Sequence, residues 1–121
     1  ESVTPPKRGA RVAPPAARGL WEMRFATTEA AKGWDELCRV AAPNALVAWE
    51  ELRQRSERPT PTPRHHQLKG DLATGVHGGV VMEQWQYEVT SGGRVWYLVD
   101  EAKHTLWFKY ASTAHPKLTD R

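Results

Sequence analysis

Glu83-Gln84-Trp85-Gln86-Tyr87-Glu88-Val89-Thr90-Ser91-Gly92-Gly93-Arg94-Val95-Trp96-Tyr97-Leu98-Val99 reads as two strand-forming runs joined by a glycine-rich turn. In the first run Trp85, Tyr87 and Val89 alternate with Gln84, Gln86 and Glu88, the period of a half-buried strand. The paired glycines are expected to supply the positive φ angles of a hairpin loop. Val95 to Val99 is apolar without interruption, as expected of a strand covered on both faces near the middle of a sheet. Arg94 breaks the pattern. A guanidinium beside an apolar sheet must meet an acidic side chain, backbone carbonyls or an anionic ligand such as phosphate.

The chain around this hairpin has 121 residues, six Trp and a hydrophobic fraction of 40%, which suits one globular domain. Cys38 stands alone, so no internal disulfide framework is possible, and its helical context points to a buried thiol in a cytoplasmic protein. No apolar run approaches the length of a membrane span, and no signal-peptide core is present in the sequence, which opens on Glu1 as a trimmed product or fragment would. The formal charge of +3 is uneven. Lys7, Arg8, Arg11 and Arg18 against Glu1 account for it, while Arg53, Arg55, Arg58, Arg64 and Lys69 against Glu57 form a second basic stretch. Charge of this kind fits an anionic partner and equally a solvated face, so it does not by itself establish nucleic-acid binding.

Residues 1–19, rich in Pro, Ala and Arg, are expected to be disordered. Trp21, Met23 and Phe25 then alternate with Glu22 and Arg24 in a first strand. Thr27 or Thr28 can cap a helix whose buried stripe is Ala30, Trp34, Leu37 and Ala41, slightly weakened by Gly33. Pro43 opens a second helix with Ala45, Trp49 and Leu52 on one stripe, broadened by Leu46. Pro59, Pro61 and Pro63 hold a basic linker extended, and residues 72–79 read as a loop or a short strand. After the hairpin, Leu106, Phe108 and Tyr110 alternate with Trp107 and Lys109 in a last strand. This order predicts an α+β domain, with a two-helix hairpin packed on a largely antiparallel sheet of three to five strands.

The strand-helix-helix-sheet order, Leu68-Lys69-Gly70 before the sheet, Gly93-Arg94-Val95-Trp96-Tyr97 at the hairpin and His115 after the last strand together resemble the RelE/ParE superfamily of toxins from toxin-antitoxin pairs, over roughly residues 20–118. Catalytic members are ribosome-dependent ribonucleases that cut mRNA in the A site without metal; others inhibit DNA gyrase. The resemblance implies a cognate antitoxin as partner in a hetero-oligomer, mRNA on the ribosome as substrate, no cofactor and no membrane. Metal-free RNA cleavage needs a base for the 2′-hydroxyl, fixed cations for the phosphoryl oxygens and an acid for the departing 5′ oxygen. By position Arg94 matches the arginine at the scissile phosphate and Lys69 the basic residue of the Leu-Lys-Gly segment. His115 matches a C-terminal histidine acting as acid, and His66 stands where one branch has a glutamate base. Arg64, Lys69, Lys117 and Trp96 are then expected to hold RNA, with Trp96 stacking on a base.

Each of these residues also has a plainer reading. Arg94 fits a structural ion pair with Glu83 or Glu88, and His65, His77, His104 and His115 fit ordinary surface positions. His65 is the neighbour that competes with His66 for the role of base. His65, His66 and His77 form only a weak zinc set, without a cysteine or a recognised spacing. On the functional side, a gyrase-directed binder on the same fold is the alternative to a nuclease, and the cation flanked by titratable groups favours the nuclease.

Overall fold

Alternation and helical spacing at the start of the domain generate a strand followed by two helices: β1 (Glu22–Phe25), α1 (Thr28–Val40) and α2 (Ala42–Arg53). The computed structural model describes residues 7–12 and 15–113. Thr27 caps α1: its Oγ accepts the Ala30 N–H at 3.0 Å and donates to the Lys109 carbonyl at 2.9 Å, which ties the helix start to the last strand. Ala41 alone separates the helices, and Pro43 sits in the first turn of α2, where its missing N–H costs nothing. α1 buries Ala30, Ala31, Trp34 and Leu37; α2 buries Ala45, Ala48 and Leu52. Leu46, expected to broaden that stripe, is exposed instead.

The remaining strands are β2 (His65–Gln67), β3 (Thr74–His77), β4 (Val80–Glu88), β5 (Arg94–Asp100) and β6 (Thr105–Ser112). They form a six-stranded sheet in the order β1-β6-β5-β4-β2, with β3 paired to β4. The domain is α+β as expected, but the sheet exceeds the expected strand count and is mixed, since β1 runs parallel to β6. The extra strand, β2, lies in the linker, where three residues give too little alternation to identify it, while β3 falls in the stretch read as a loop or short strand. β5 is central and buried along its whole length, as its unbroken apolar run required. On the helix side, Trp21, Phe25, Leu37, Leu52, Val95, Tyr97, Leu106 and Phe108 make the core.

Glycines at two places let this packing close. A Cβ on Gly33 would lie 1.8 Å from the Ala111 carbonyl oxygen, so the residue that weakens α1 locally is the one that lets it rest on β6. Positive φ occurs at Gly78 and Gly79, the tight turn between β3 and β4. Gly92 and Gly93 do not adopt positive φ, contrary to expectation; a Cβ on Gly93 would instead meet Leu37 at 2.9 Å and the Ser112 carbonyl at 3.1 Å. Close approach, not turn handedness, requires glycine there.

The expected disorder of residues 1–19 does not extend to residues 7–12. The Gly9 N–H donates to the Phe25 carbonyl at 2.7 Å, Phe25 N–H to Ala10 at 3.0 Å and Val12 N–H to Met23 at 2.8 Å, while Val12 enters the core and Arg11 pairs with Glu22. This strap covers the outer edge of β1, which would otherwise present unpaired backbone groups. Among the described residues no helix is long and apolar enough to cross a membrane.

Gly33→Ala is expected to lower the melting temperature. Alanine favours a helix by about 1 kcal/mol, but overpacking against a fixed backbone costs about 1–3 kcal/mol or more; a melting temperature at or above that of the parent would contradict the close approach. Val12→Ala should destabilise by about 1 kcal/mol through lost apolar burial, seen as a lower urea midpoint. No shift would show that the strap contributes nothing.

Candidate functional site

Strand pairing sorts the sequence-predicted residues onto two faces. On β2, His65 lies opposite Tyr87 and His66 opposite Gln86; on β4 and β5, Gln86 faces Trp96 and Glu88 faces Arg94; across β5 and β6, Trp96 faces Tyr110 and Arg94 faces Ser112. Because residues directly opposite share a face, His66, Gln86, Trp96 and Tyr110 make one row on the side away from the helices. Glu88, Arg94 and Ser112 make the next row. His65 points the other way, into the layer between sheet and helices.

The lower part of the same face is closed. A Cβ on Gly75 would lie 2.8 Å from Leu98, the His77 ring stacks 4.0 Å from Trp107, and Gln84 donates to the Leu72 carbonyl at 2.8 Å. The β3–β4 hairpin therefore covers Leu98 and Trp107, and the two rows above it are bounded by that wall.

Arg94 is only 5% exposed, with its Nη2 4.0 Å from Glu88, whose other oxygen lies 3.6 Å from the exposed Arg64. The ion pair with Glu88 expected on the plainer reading is thus present, and Arg64 is brought to the same carboxylate. Glu88 thus stands between two guanidiniums. A pocket of about 450 Å³ lies between this end of the sheet and α2, lined by Asn44, Glu51, Arg64, His65, Tyr87 and Glu88 but by neither Arg94 nor His66.

His66 is half-buried, and its Nδ1 lies 3.2 Å from the Gln67 carbonyl. A carbonyl can only accept, so Nδ1 carries a proton, which leaves Nε2 as the nitrogen that can act on a ligand. Two strand spacings, roughly 10 Å, and a step of two residues along the strands, roughly 7 Å, separate the positions of His66 and Arg94 on the sheet. Lys69 is exposed beyond β2, near the level of Glu83, five residues along β4 from Glu88, or roughly 16 Å of strand. It is not brought to Arg94. His115 and Lys117 lie outside the described residues.

Trp96 does not offer a free stacking surface. It is 7% exposed, its indole N–H donates to Gln86 at 2.8 Å, and its ring packs 5.1 Å from Tyr110. Tyr110, half-buried, is the more open aromatic of the pair. Strict alternation assigned Tyr110 to the core with Phe108. A bulge reverses this: Trp96 pairs with Tyr110 but Tyr97 with Phe108, leaving Lys109 as an extra residue. Gln86, which fixes the Trp96 indole, was likewise read only as a polar position, and no short-range signal in the sequence marks either residue. Among the described residues no group of three His, Cys, Asp or Glu side chains is placed to hold a metal ion, and the zinc set of His65, His66 and His77 is not assembled.

His65, on the helix side, has its Nε2 2.5 Å from the Tyr97 hydroxyl and is surrounded by the rings of Trp85, Tyr87 and Tyr97. Burial, followed by the positive charge of Arg55, lowers its pKa from 6.5 to about 4. The folded protein therefore holds His65 neutral where the unfolded chain binds a proton. The stability contributed by the neutral ring is complete above pH 6.5 and is lost as pH falls toward 4. His65→Gln is expected to flatten the fall in urea midpoint over that interval; an unchanged slope would assign the acid sensitivity to other groups. Set beside known proteins, the chain finds no matching family model, no matching curated protein and no matching solved structure, so the functional reading rests on this geometry and on the motif resemblance.

Proposed function

We propose that the chain is a RelE/ParE-like toxin whose activity is metal-independent cleavage of mRNA on the ribosome, held in check by a cognate antitoxin. The single observation that carries the reading is the shared face: a nearly buried guanidinium, Arg94, and an imidazole, His66, lie on neighbouring rows of one sheet face beside the half-buried ring of Tyr110. A structural ion pair alone has no use for the imidazole. The motif order around Leu68-Lys69-Gly70 and Gly93-Arg94-Val95 supports the same superfamily fold.

In this mechanism His66 Nε2 takes the proton of the 2′-hydroxyl. The 2′ oxygen then bonds to the adjacent phosphorus, the bond to the 5′ oxygen breaks, and the products are a cyclic phosphate and a free 5′-hydroxyl. Arg94 stabilises the charge that develops on the phosphoryl oxygens. Its near-complete burial strengthens that effect, because a preorganised donor with little water around it loses little to screening. Glu88 orients the guanidinium. Arg64 and Lys69 hold RNA backbone to either side, and His115, assigned only by the resemblance, returns the proton to the leaving oxygen.

Arg94→Lys tests the central role, since it keeps a positive charge for Glu88 but removes the two-pronged donor. Cleavage of mRNA on programmed ribosomes, mapped by primer extension, should fall by about 10²–10³-fold, with the protein still folded by circular dichroism. Undiminished cleavage would remove Arg94 from the chemistry. A parent protein that leaves mRNA intact but blocks supercoiling by DNA gyrase would establish the binding alternative instead.

A further inference from the structure

We propose that the edge of β4 at residues 80–83 is a docking site for an extended, basic segment of a partner protein, which adds to the sheet as a further strand. The site stands apart from the face that carries Arg94 and His66, and it does not depend on the function proposed above.

The open edge follows from the alternation of backbone groups along β4. The Gln84 N–H donates to the Ala73 carbonyl at 2.8 Å and the Glu88 N–H to the Arg64 carbonyl at 2.7 Å, both toward β2 and β3. The Val89 N–H, just past the strand, donates to the Gly93 carbonyl at 2.8 Å on the side of β5. Even-numbered residues therefore bond toward β2 and β3, and odd-numbered ones toward β5. Pairing with β5 ends at Gln84 and Leu98. Beyond that point β5 continues along β6, and among the described residues the only strand paired with residues 80–83 is β3. The N–H and C=O of Val81 thus point to the side that β5 has left. An edge of this kind is a template for another chain.

The parting of β4 and β5 leaves a cleft of about 270 Å³, with Val80, Val81, Met82 and Val99 as its apolar lining. Val81, 66% exposed, lies opposite Val76, 54% exposed, so the hairpin carries an aliphatic strip on its outer face. The charged lining is acidic throughout: Glu83, Asp100 and Glu101, with no lysine or arginine among the described residues. Asp100 is already engaged, accepting the Trp107 indole N–H at 3.1 Å and the Lys103 N–H at 3.2 Å. Glu83 gives one oxygen to the Trp85 indole N–H at 3.1 Å, and the exposed Glu101 carboxylate has no partner among the described residues.

Those charges select the occupant. A second copy of the chain on this edge would set Glu83 and Glu101 against the same residues of its partner, and like charges across paired strands are destabilising. A strand with an aliphatic residue opposite Val81 and a lysine or arginine two positions away, beside Glu83, meets both the apolar strip and the carboxylates. Alternate residues share a face, so both of those side chains fall on the outer face, and the residue between them falls on the face of Val80 and Met82.

Titration with the capped peptide Lys-Thr-Val-Thr-Lys, which reads the same in both strand directions, tests the site by nitrogen-proton NMR. Saturable shifts centred on the Val81 and Glu83 amides are expected, with exchange of the Val81 amide slowed by about tenfold or more. Glu-Thr-Val-Thr-Glu should bind about tenfold more weakly or not at all. Val81→Pro removes the outward N–H and leaves the β3 ladder intact; it should weaken binding by about tenfold or more while nuclear Overhauser contacts between β3 and β4 persist. Glu83→Gln combined with Glu101→Gln, which keeps an acceptor for Trp85, should erase the preference for the lysine peptide. No saturable shift at Val81, full binding to Val81→Pro, or equal binding of the acidic peptide would overturn the site. A protected Val81 amide in the peptide-free protein, together with dimers in sedimentation, would place a second copy on the edge and overturn the basic partner.

Discussion

Burial of β5 on both faces is the constraint from which the other features follow. A central strand of seven residues, none of them exposed, needs two covers. The helices provide one and can approach closely only because Gly33 lets α1 meet the β6 backbone. The β3–β4 hairpin provides the other, but it reaches only as far as Leu98 and Trp107. The upper part of the second face is left for polar side chains, and that is where Arg94, Glu88, Gln86 and His66 emerge. Arg94, Gln86 and Trp96 are nonetheless buried there, beyond the reach of both the helices and the hairpin.

Within that site the polar groups hold one another in place. Glu88 spans Arg64 and Arg94, Gln86 holds the Trp96 indole, and the Gln67 carbonyl sets the His66 tautomer. These are contacts within β2 or between neighbouring strands, so the arrangement needs no ligand to organise it. Such preorganisation is what a charge-stabilising site requires, because side chains already in position lose no free energy to reorientation when substrate arrives.

Much of the fold was legible from local pattern. Alternation at Trp85 and Tyr87, the apolar run after Arg94 and the stripe of Ala30, Trp34 and Leu37 all reflect contacts with one neighbouring layer, and each was placed correctly. What escaped depended on distant partners. The parallel pairing of β1 with β6 joins Glu22 to Thr105 almost the length of the domain away, the short β2 meets its partner only at β4, and the bulge at Lys109 is set by how β6 meets β5. The site was legible to the same extent. Arg94 stood out because a charge opened an apolar run, whereas the opposite facing of His65 and His66 needs not only alternation but also a register that three residues cannot reveal. Arg55 read as surface charge because sequence does not show that three aromatic rings enclose it.

The pairing of β1 with β6 carries a consequence for synthesis. Phe25 lies opposite Phe108, so the first strand stays without its sheet neighbour until the last has been made. At roughly 5–20 residues per second a nascent chain waits several seconds between the two. Until then Trp21, Met23 and Phe25 have only the helices and the strap around Val12 to shield them, and β5 lacks the strand that separates it from β1. The upper face, which takes Tyr110 from β6, is completed in that same final step. Assembly of the site is thereby tied to near-completion of the polypeptide, and a chain truncated before Thr105 would have neither a closed sheet nor a finished face.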